Sequence, residues 1–169
     1  MARLFIFSGF PGSGKSTLSK MLSKYSEAVY VRIDSIEQAI RDSQFNDNTV
    51  MDEGYLVGYA IARDNLTNGY DVVTDSVNSI KETRDGWNII GKETNSEIVN
   101  IEIECSDKEE HRNRIETRES DIKNHVYPDW NETINREYEI PNHPYVRVDT
   151  AGKTIDQSFT ELLEKIKTP

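Results

Sequence analysis

Gly9-Phe10-Pro11-Gly12-Ser13-Gly14-Lys15-Ser16-Thr17 decides how the rest of the chain is read. Two glycines at fixed spacing, then Lys, then Ser or Thr is the pattern of a phosphate-binding loop. Its context agrees. Leu4-Phe5-Ile6-Phe7 is a short continuous apolar run, as a strand buried on both faces requires, and Leu18, Met21, Leu22 and Tyr25 recur at the spacing of one buried helix face. Glycines let the backbone turn its N–H groups around a polyphosphate, and the N-terminus of the following helix adds about half a positive charge. On this pattern Lys15 reaches the β and γ phosphates and the Ser16 hydroxyl is a Mg²⁺ ligand. Gly9, Gly12, Ser13, Gly14 and Thr17 complete the cradle. The competing reading, a glycine-rich turn with a solvated lysine, does not explain the strand and helix on either side.

Outward from the loop, strands and helices alternate. Ala28 to Ile33 reads as a second strand ending at Asp34, followed by a helix through Ile36, Ala39 and Ile40. A helix from about Val50 to Asn68 carries Leu56, Tyr59, Ala60 and Leu66 on one face, with Gly69 as its stop. Asp71 to Asp75 is a third strand, and Ser79 with Glu82 form a capping-box pair for a helix starting near Ile80. The fourth strand runs from Ile98 to Cys105 and precedes a charged helix capped by Ser106 with Glu109. Pro128 opens a short helix that Pro141 closes. Tyr145 to Val148 is the fifth strand, and Thr154 with Gln157 cap a last helix from Ile155. Five such alternations predict an α/β fold, a parallel sheet with helices on both faces. Ligands of such sheets bind beyond the carboxyl ends of the strands, where the loop, Asp34, Asp75 and the Asp149-Thr150-Ala151-Gly152 turn should converge.

Length and composition bound the rest. The 169 residues read as one domain, 1–169, and 36% hydrophobic with 30% charged residues suits a soluble protein. No apolar run reaches a membrane span, so the expectation is a cytoplasmic protein without membrane partners. The single Cys105 has no intrachain disulfide partner and reads as a small core residue. A net charge of −10 disfavours a general nucleic-acid surface and leaves positive charge to be concentrated at a site. The three histidines show no zinc-ligand spacing.

Several residues admit two readings. Asp34 is a strand-end carboxylate or a helix N-cap with Glu37 at N3, a cap that Ser35 and Gln38 would supply equally well. Asp75 holds Mg²⁺, holds substrate, or closes a loop. Arg114 and Arg118 stand at i, i+4 and repel one another unless something negative sits between them; the alternative is a solvated helix face, with Glu110 pairing Arg114. Arg112 pairs with Glu116 in the same way. Tyr127, Trp130 and Tyr138 line a pocket or simply pack.

With these residues in view, the chain resembles the small P-loop kinases that include polynucleotide kinase, gluconate kinase, adenylylsulfate kinase and chloramphenicol phosphotransferase. The likeness rests on the phosphate loop, Arg32-Ile33-Asp34-Ser35, Thr74-Asp75-Ser76-Val77-Asn78, Arg114 with Arg118, and Val148-Asp149-Thr150. It implies a three-layer P-loop NTPase fold with a five-stranded parallel sheet of order 2-3-1-4-5 and a small helical lid at about 107–127. It also implies ATP and Mg²⁺ as cofactors. Asp34 then matches the base that takes the acceptor hydroxyl's proton, Arg114 and Arg118 match lid arginines that spread transition-state charge, and Thr150 and Gly152 border the adenine. The chain departs from polynucleotide kinase in having Glu37 where that enzyme has an acceptor-binding Arg, with Arg41 an imperfect substitute. The expected activity is phosphoryl transfer from ATP to a small-molecule hydroxyl. The alternatives are a polynucleotide or nucleotide 5′-hydroxyl kinase, and an ATP-binding switch without acceptor chemistry.

Overall fold

The structure is a computed structural model that describes residues 1–43 and 50–167. Strands β1 (Arg3–Ser8), β2 (Val29–Arg32), β3 (Val72–Asp75), β4 (Glu97–Glu104) and β5 (Val146–Asp149) form one parallel sheet in the order β2-β3-β1-β4-β5. This is the expected P-loop NTPase arrangement. The helices are α1 (Lys15–Ser26), α2 (Ile33–Arg41), α3 (Glu53–Thr67), α4 (Lys81–Glu93), α5 (Lys108–Thr117), α6 (Trp130–Ile134) and α7 (Ile155–Lys167). None is long and apolar enough to cross a membrane among the described residues.

The continuous apolar run of β1 is explained by burial on both faces. Phe5 and Phe7 enter a core with Leu18 and Leu22 of α1 and Leu162 of α7. Leu4 and Ile6 point the other way, into a second core with Ala62 and Leu66 of α3 and Trp87 of α4. Each such side chain, fully buried, contributes about 1.5–3 kcal/mol. Parallel register then sets strand ends side by side: Phe7 and Arg32 both flank Asp75, and Glu104 flanks Asp149.

The structure corrects several local expectations. Tyr25 is exposed, because the buried stripe of α1 is Leu18, Ser19, Leu22 and Ser23. The buried face of α3 is Gly54, Gly58, Ala62 and Leu66, while Leu56 and Ala60 are exposed. Small residues let this helix approach closely: a Cβ on Gly58 would stand 2.6 Å from Ile33 Cδ1 and 3.1 Å from Trp87. The Ser79/Glu82 capping box does not form. Instead Glu139, far along the chain, accepts the Lys81 N–H at 2.7 Å and donates its own N–H to the Ser79 carbonyl at 2.8 Å. The cap of α5 is Asp107, one residue later than expected, accepting the Glu110 N–H at 2.9 Å. Pro128 precedes α6 rather than opening it, since Asp129 and Glu132 form a capping box there. The Thr154/Gln157 cap of α7 does form.

Candidate active site

The phosphate loop joins β1 to α1 and takes a shape that side chains would obstruct. Gly12 stands at φ +80, where a Cβ would also lie 2.5 Å from Ile115 Cγ1. Gly14, at φ +96, is the N-cap of α1 and no side chain caps that helix. The first turn of α1 therefore offers the N–H groups of Lys15, Ser16 and Thr17 to an anion. Behind the loop, Gly9 N–H donates to the Val77 carbonyl at 3.2 Å and Thr150 Oγ1 donates to the Ser13 carbonyl at 2.7 Å. His111 Nε2 lies 2.7 Å from the Pro11 carbonyl, and Phe10 stacks on Tyr138 at 4.4 Å. Gly9 and Ser13 thus brace the loop from behind and do not reach the cavity wall.

Lys15 and Asp75 meet in the interior. Lys15 Nζ lies 2.6 Å from Asp75 Oδ1, with side chains only 7% and 1% exposed. Tyr30 OH donates to Asp75 Oδ2 at 2.6 Å, and Arg32 Nε is 3.7 Å from the same oxygen. Strand geometry is the cause. Tyr30 and Arg32 sit two apart on β2, so they project to one face, and Arg32 is the register partner of Asp75. Burial pushes the Asp75 carboxyl up, but Lys15, by charge and hydrogen bond, and then Tyr30 hold it below its ordinary value. Burial and the Asp75 carboxylate in turn push the Tyr30 phenol far up.

In front of the loop lies a cavity of about 1160 Å³, lined by the loop, α2, α3, the start of α4, the segment 118–128 and the β5–α7 turn. Single small-molecule sites usually occupy about 300–1,000 Å³, so there is room for a nucleotide and a second molecule. Basic side chains outnumber acidic ones along the wall of a chain whose net charge is −10, which gives the local concentration of positive charge expected from the sequence.

Asp34 lines this cavity, but from the first turn of α2 rather than from a strand end, because β2 stops at Arg32 and the helix begins at Ile33. Arg32 occupies the N-cap position and no side chain caps the helix, so neither predicted capping box exists. Gln38 bonds Asp42 instead, and Glu37 takes Arg41. Among the described residues nothing hydrogen-bonds the Asp34 carboxylate. Arg118 and His125 lie close enough to feel its charge.

Arg114 and Arg118 both line the cavity but do not share a helix face. The helix ends at Thr117, and Arg118 follows in extended conformation. Arg114 is fixed to the β5–α7 turn: Nη1 donates to Thr150 Oγ1 at 2.7 Å, and Nη2 to the Thr150 carbonyl at 3.0 Å and Glu110 Oε1 at 2.5 Å. Glu110 also accepts the Gly152 N–H at 2.8 Å, so Gly152 serves the turn and not the wall. Arg118 donates to the Pro128 carbonyl at 3.1 Å, with its guanidinium 3.9 Å from the centre of the Tyr127 ring. Tyr127 lines the cavity, whereas Trp130 packs edge-on against His111 and Tyr138 packs on Phe10.

Sequence reading missed two parts of the site. Asp121 accepts from Arg32 at 2.9 Å and pairs with Lys20, and Arg32 Nη2 reaches Tyr127 OH at 2.9 Å, tying the segment after α5 to the body of the fold. Tyr30, whose OH bonds Asp75, was the other. Arg32 stands in the Arg32-Ile33-Asp34-Ser35 motif, but no local pattern announces pairings this distant in sequence.

A family model described as an AAA domain matches residues 4–134. An adenylyl-sulfate kinase of Prochlorococcus marinus is 29% identical over 170 residues, covering 95% of this chain and 81% of that protein. The Mycobacterium tuberculosis APS kinase CysC, solved with AMPPNP and APS, superposes with a TM-score of 0.71 at 15% identity, covering 99% of this chain and 98% of that one. Chaetomium thermophilum Kti12, solved with ADP-AlF3, gives 0.69 at 21% identity, covering 96% and 98%. At these identities the two structures show a shared fold.

Proposed function

The chain belongs to the AAA-domain family that matches most of its length, and from that premise we propose that it is a P-loop phosphotransferase, moving the γ-phosphate of Mg-ATP to a hydroxyl of a small molecule. One observation carries the step from nucleotide binding to transfer: Asp34, a carboxylate engaged in neither cap nor ion pair among the described residues, faces the same cavity as the phosphate loop.

The loop N–H groups and Lys15 bind the phosphates, Lys15 exchanging Asp75 for a phosphate oxygen. Mg²⁺, when bound, neutralises charge on the β and γ phosphates. Of the hard oxygen donors that would hold it, the Ser16 hydroxyl lines the cavity, and the Asp75 carboxylate, close enough to Ser16 to interact, lies buried behind the wall on Lys15. Arg114 and Arg118 stabilise charge on the transferring group, the work of an arginine finger. Asp34 orients the acceptor hydroxyl and takes its proton on a carboxylate oxygen as the new P–O bond to the γ-phosphorus forms and the bond from that phosphorus to the β–γ bridging oxygen breaks, releasing ADP. Thr150 holds Arg114 at the nucleotide end. We place the protein in the cytoplasm, with its single cysteine buried as a core residue. The acidic chain and Glu37 argue against a polynucleotide acceptor. Adenylyl sulfate, the acceptor in the relative's name, belongs in any screen of acceptors.

Asp34→Asn tests the reading. It keeps the shape of the side chain, so ATP affinity and melting temperature should hold while acceptor-dependent kcat falls about 10²- to 10⁴-fold. Turnover of the same acceptor at near wild-type rate would remove Asp34 as the base.

A further inference from the structure

Glu37 lies one helical turn after Asp34, so α2 presents both carboxylates to the cavity. The position is built. Glu37 Cγ lies against Gly54 at the start of α3, where a Cβ would collide with it, so the side chain lies flat on that helix. Arg41 Nη2 donates to Oε2 at 3.1 Å, and the side chain is 19% exposed. Among the described residues, Oε1 takes no hydrogen bond. Burial raises the Glu37 pKa, Arg41 pulls it back, Asp34 adds to the rise and Arg136 opposes it. Tyr55, whose phenol is pushed up to about 12 mainly by burial, feels both carboxylates and lines the same wall.

Charge is divided along the cavity. Lys15, Arg114 and Lys153 stand at the phosphate-loop end and the β5–α7 turn, whereas the end made by α2, α3 and the start of α4 carries four carboxylates, Asp34, Glu37, Asp52 and Glu82, against the guanidinium groups of Arg41 and Arg136 near Glu37. Resting on the phosphotransferase reading, we propose that Glu37 is a specificity-determining residue of the acceptor end. It accepts a hydrogen bond on Oε1 from a second hydroxyl, or an ammonium, of the acceptor, and it turns away acceptors that bring a carboxylate or phosphate there. A like charge meets a carboxylate whose neighbouring cation, Arg41, is already bonded to its other oxygen, and the mismatch penalises the wrong partner more than the match rewards the right one.

The experiment measures binding by titration calorimetry under saturating Mg-ADP, with matched probes: D-glucitol against D-gluconate, and adenosine against AMP, with D-glucosamine separating an ammonium donor from a hydroxyl. Within each pair the uncharged member should bind at least tenfold more tightly. Glu37→Gln should shrink that margin, and Glu37→Arg should reverse it. The glutamine variant keeps the test alive if the arginine variant fails to fold. Tighter binding of the anionic members, binding of no member of either pair, or an order unchanged by both variants would overturn the proposal. Loss of Mg-ADP binding by the wild type would instead bring down the phosphotransferase reading itself.

Discussion

Asp75→Asn should destabilise the protein far more than an ordinary loss of charge. The pair it breaks is buried, at 7% and 1% side-chain exposure, with Lys15 Nζ at 2.6 Å and Arg32 close behind. Removing one partner of such a pair leaves an uncompensated buried cation and costs about 3–5 kcal/mol. At about 2–4 °C per kcal/mol for a domain of this size, the melting temperature should fall by roughly 6–20 °C. Glu116→Gln supplies the reference, because the Arg112–Glu116 pair is exposed at 59% and 50%, where loss costs about 0–1 kcal/mol. The double variant Lys15→Met with Asp75→Asn should recover part of the loss, since removing both charges relieves the stranded ammonium. The assay is urea unfolding at pH 7 without nucleotide. A loss below about 1 kcal/mol, matching Glu116→Gln, or a double variant worse than the sum of the singles would refute this account of the buried pair.

The same carboxyl carries a pH prediction. Its folded pKa is lowered below 3.8, so its stabilisation is present above that pH and is lost as pH falls through the lower folded value. The stability gap between wild type and Asp75→Asn should therefore hold from pH 7 to about 4 and close only in more acid solution, as acid unfolding curves of the two would show. Arg114→Ala should lower kcat by about 10²-fold or more with a smaller change in ATP affinity, because its contact strengthens in the transition state; equal losses in both would mark ground-state binding. Gly58→Ala, normally favourable in a helix, should here cost about 1–3 kcal/mol, since the methyl meets Ile33 and Trp87, and a raised melting temperature would contradict the packing described.

What the sequence made legible was whatever local pattern controls. The run Leu4–Phe7, the glycine loop and Lys15 at the head of a helix all follow from residues a few positions apart. Asp34 was placed near the cavity correctly but on the wrong element, because nothing in Val29 to Arg32 marks where extension gives way to helix without a loop. The inner face of α3 only partly followed apolar periodicity: Leu66 is buried as its spacing implies, but two of the four buried positions are glycines, which serve close approach rather than hydrophobicity. The start of α4 looked self-capped by Ser79, yet Glu139 does that work, and the Asp75–Arg32–Asp121 chain joins residues that only the parallel register and the returning segment bring together. Long-range pairing is set by topology, and local spacing carries no trace of it.

The claim most in need of measurement is that the γ-phosphoryl group goes to a hydroxyl and not to water. Phosphorus NMR of wild type with Mg-ATP and a mixture of polyols, amino sugars and nucleosides reads it directly. A new phosphate monoester resonance should grow in step with ADP, be lost in Lys15→Ala and be strongly reduced in Asp34→Asn. ADP accompanied only by inorganic phosphate, at a rate indifferent to Asp34, would contradict it.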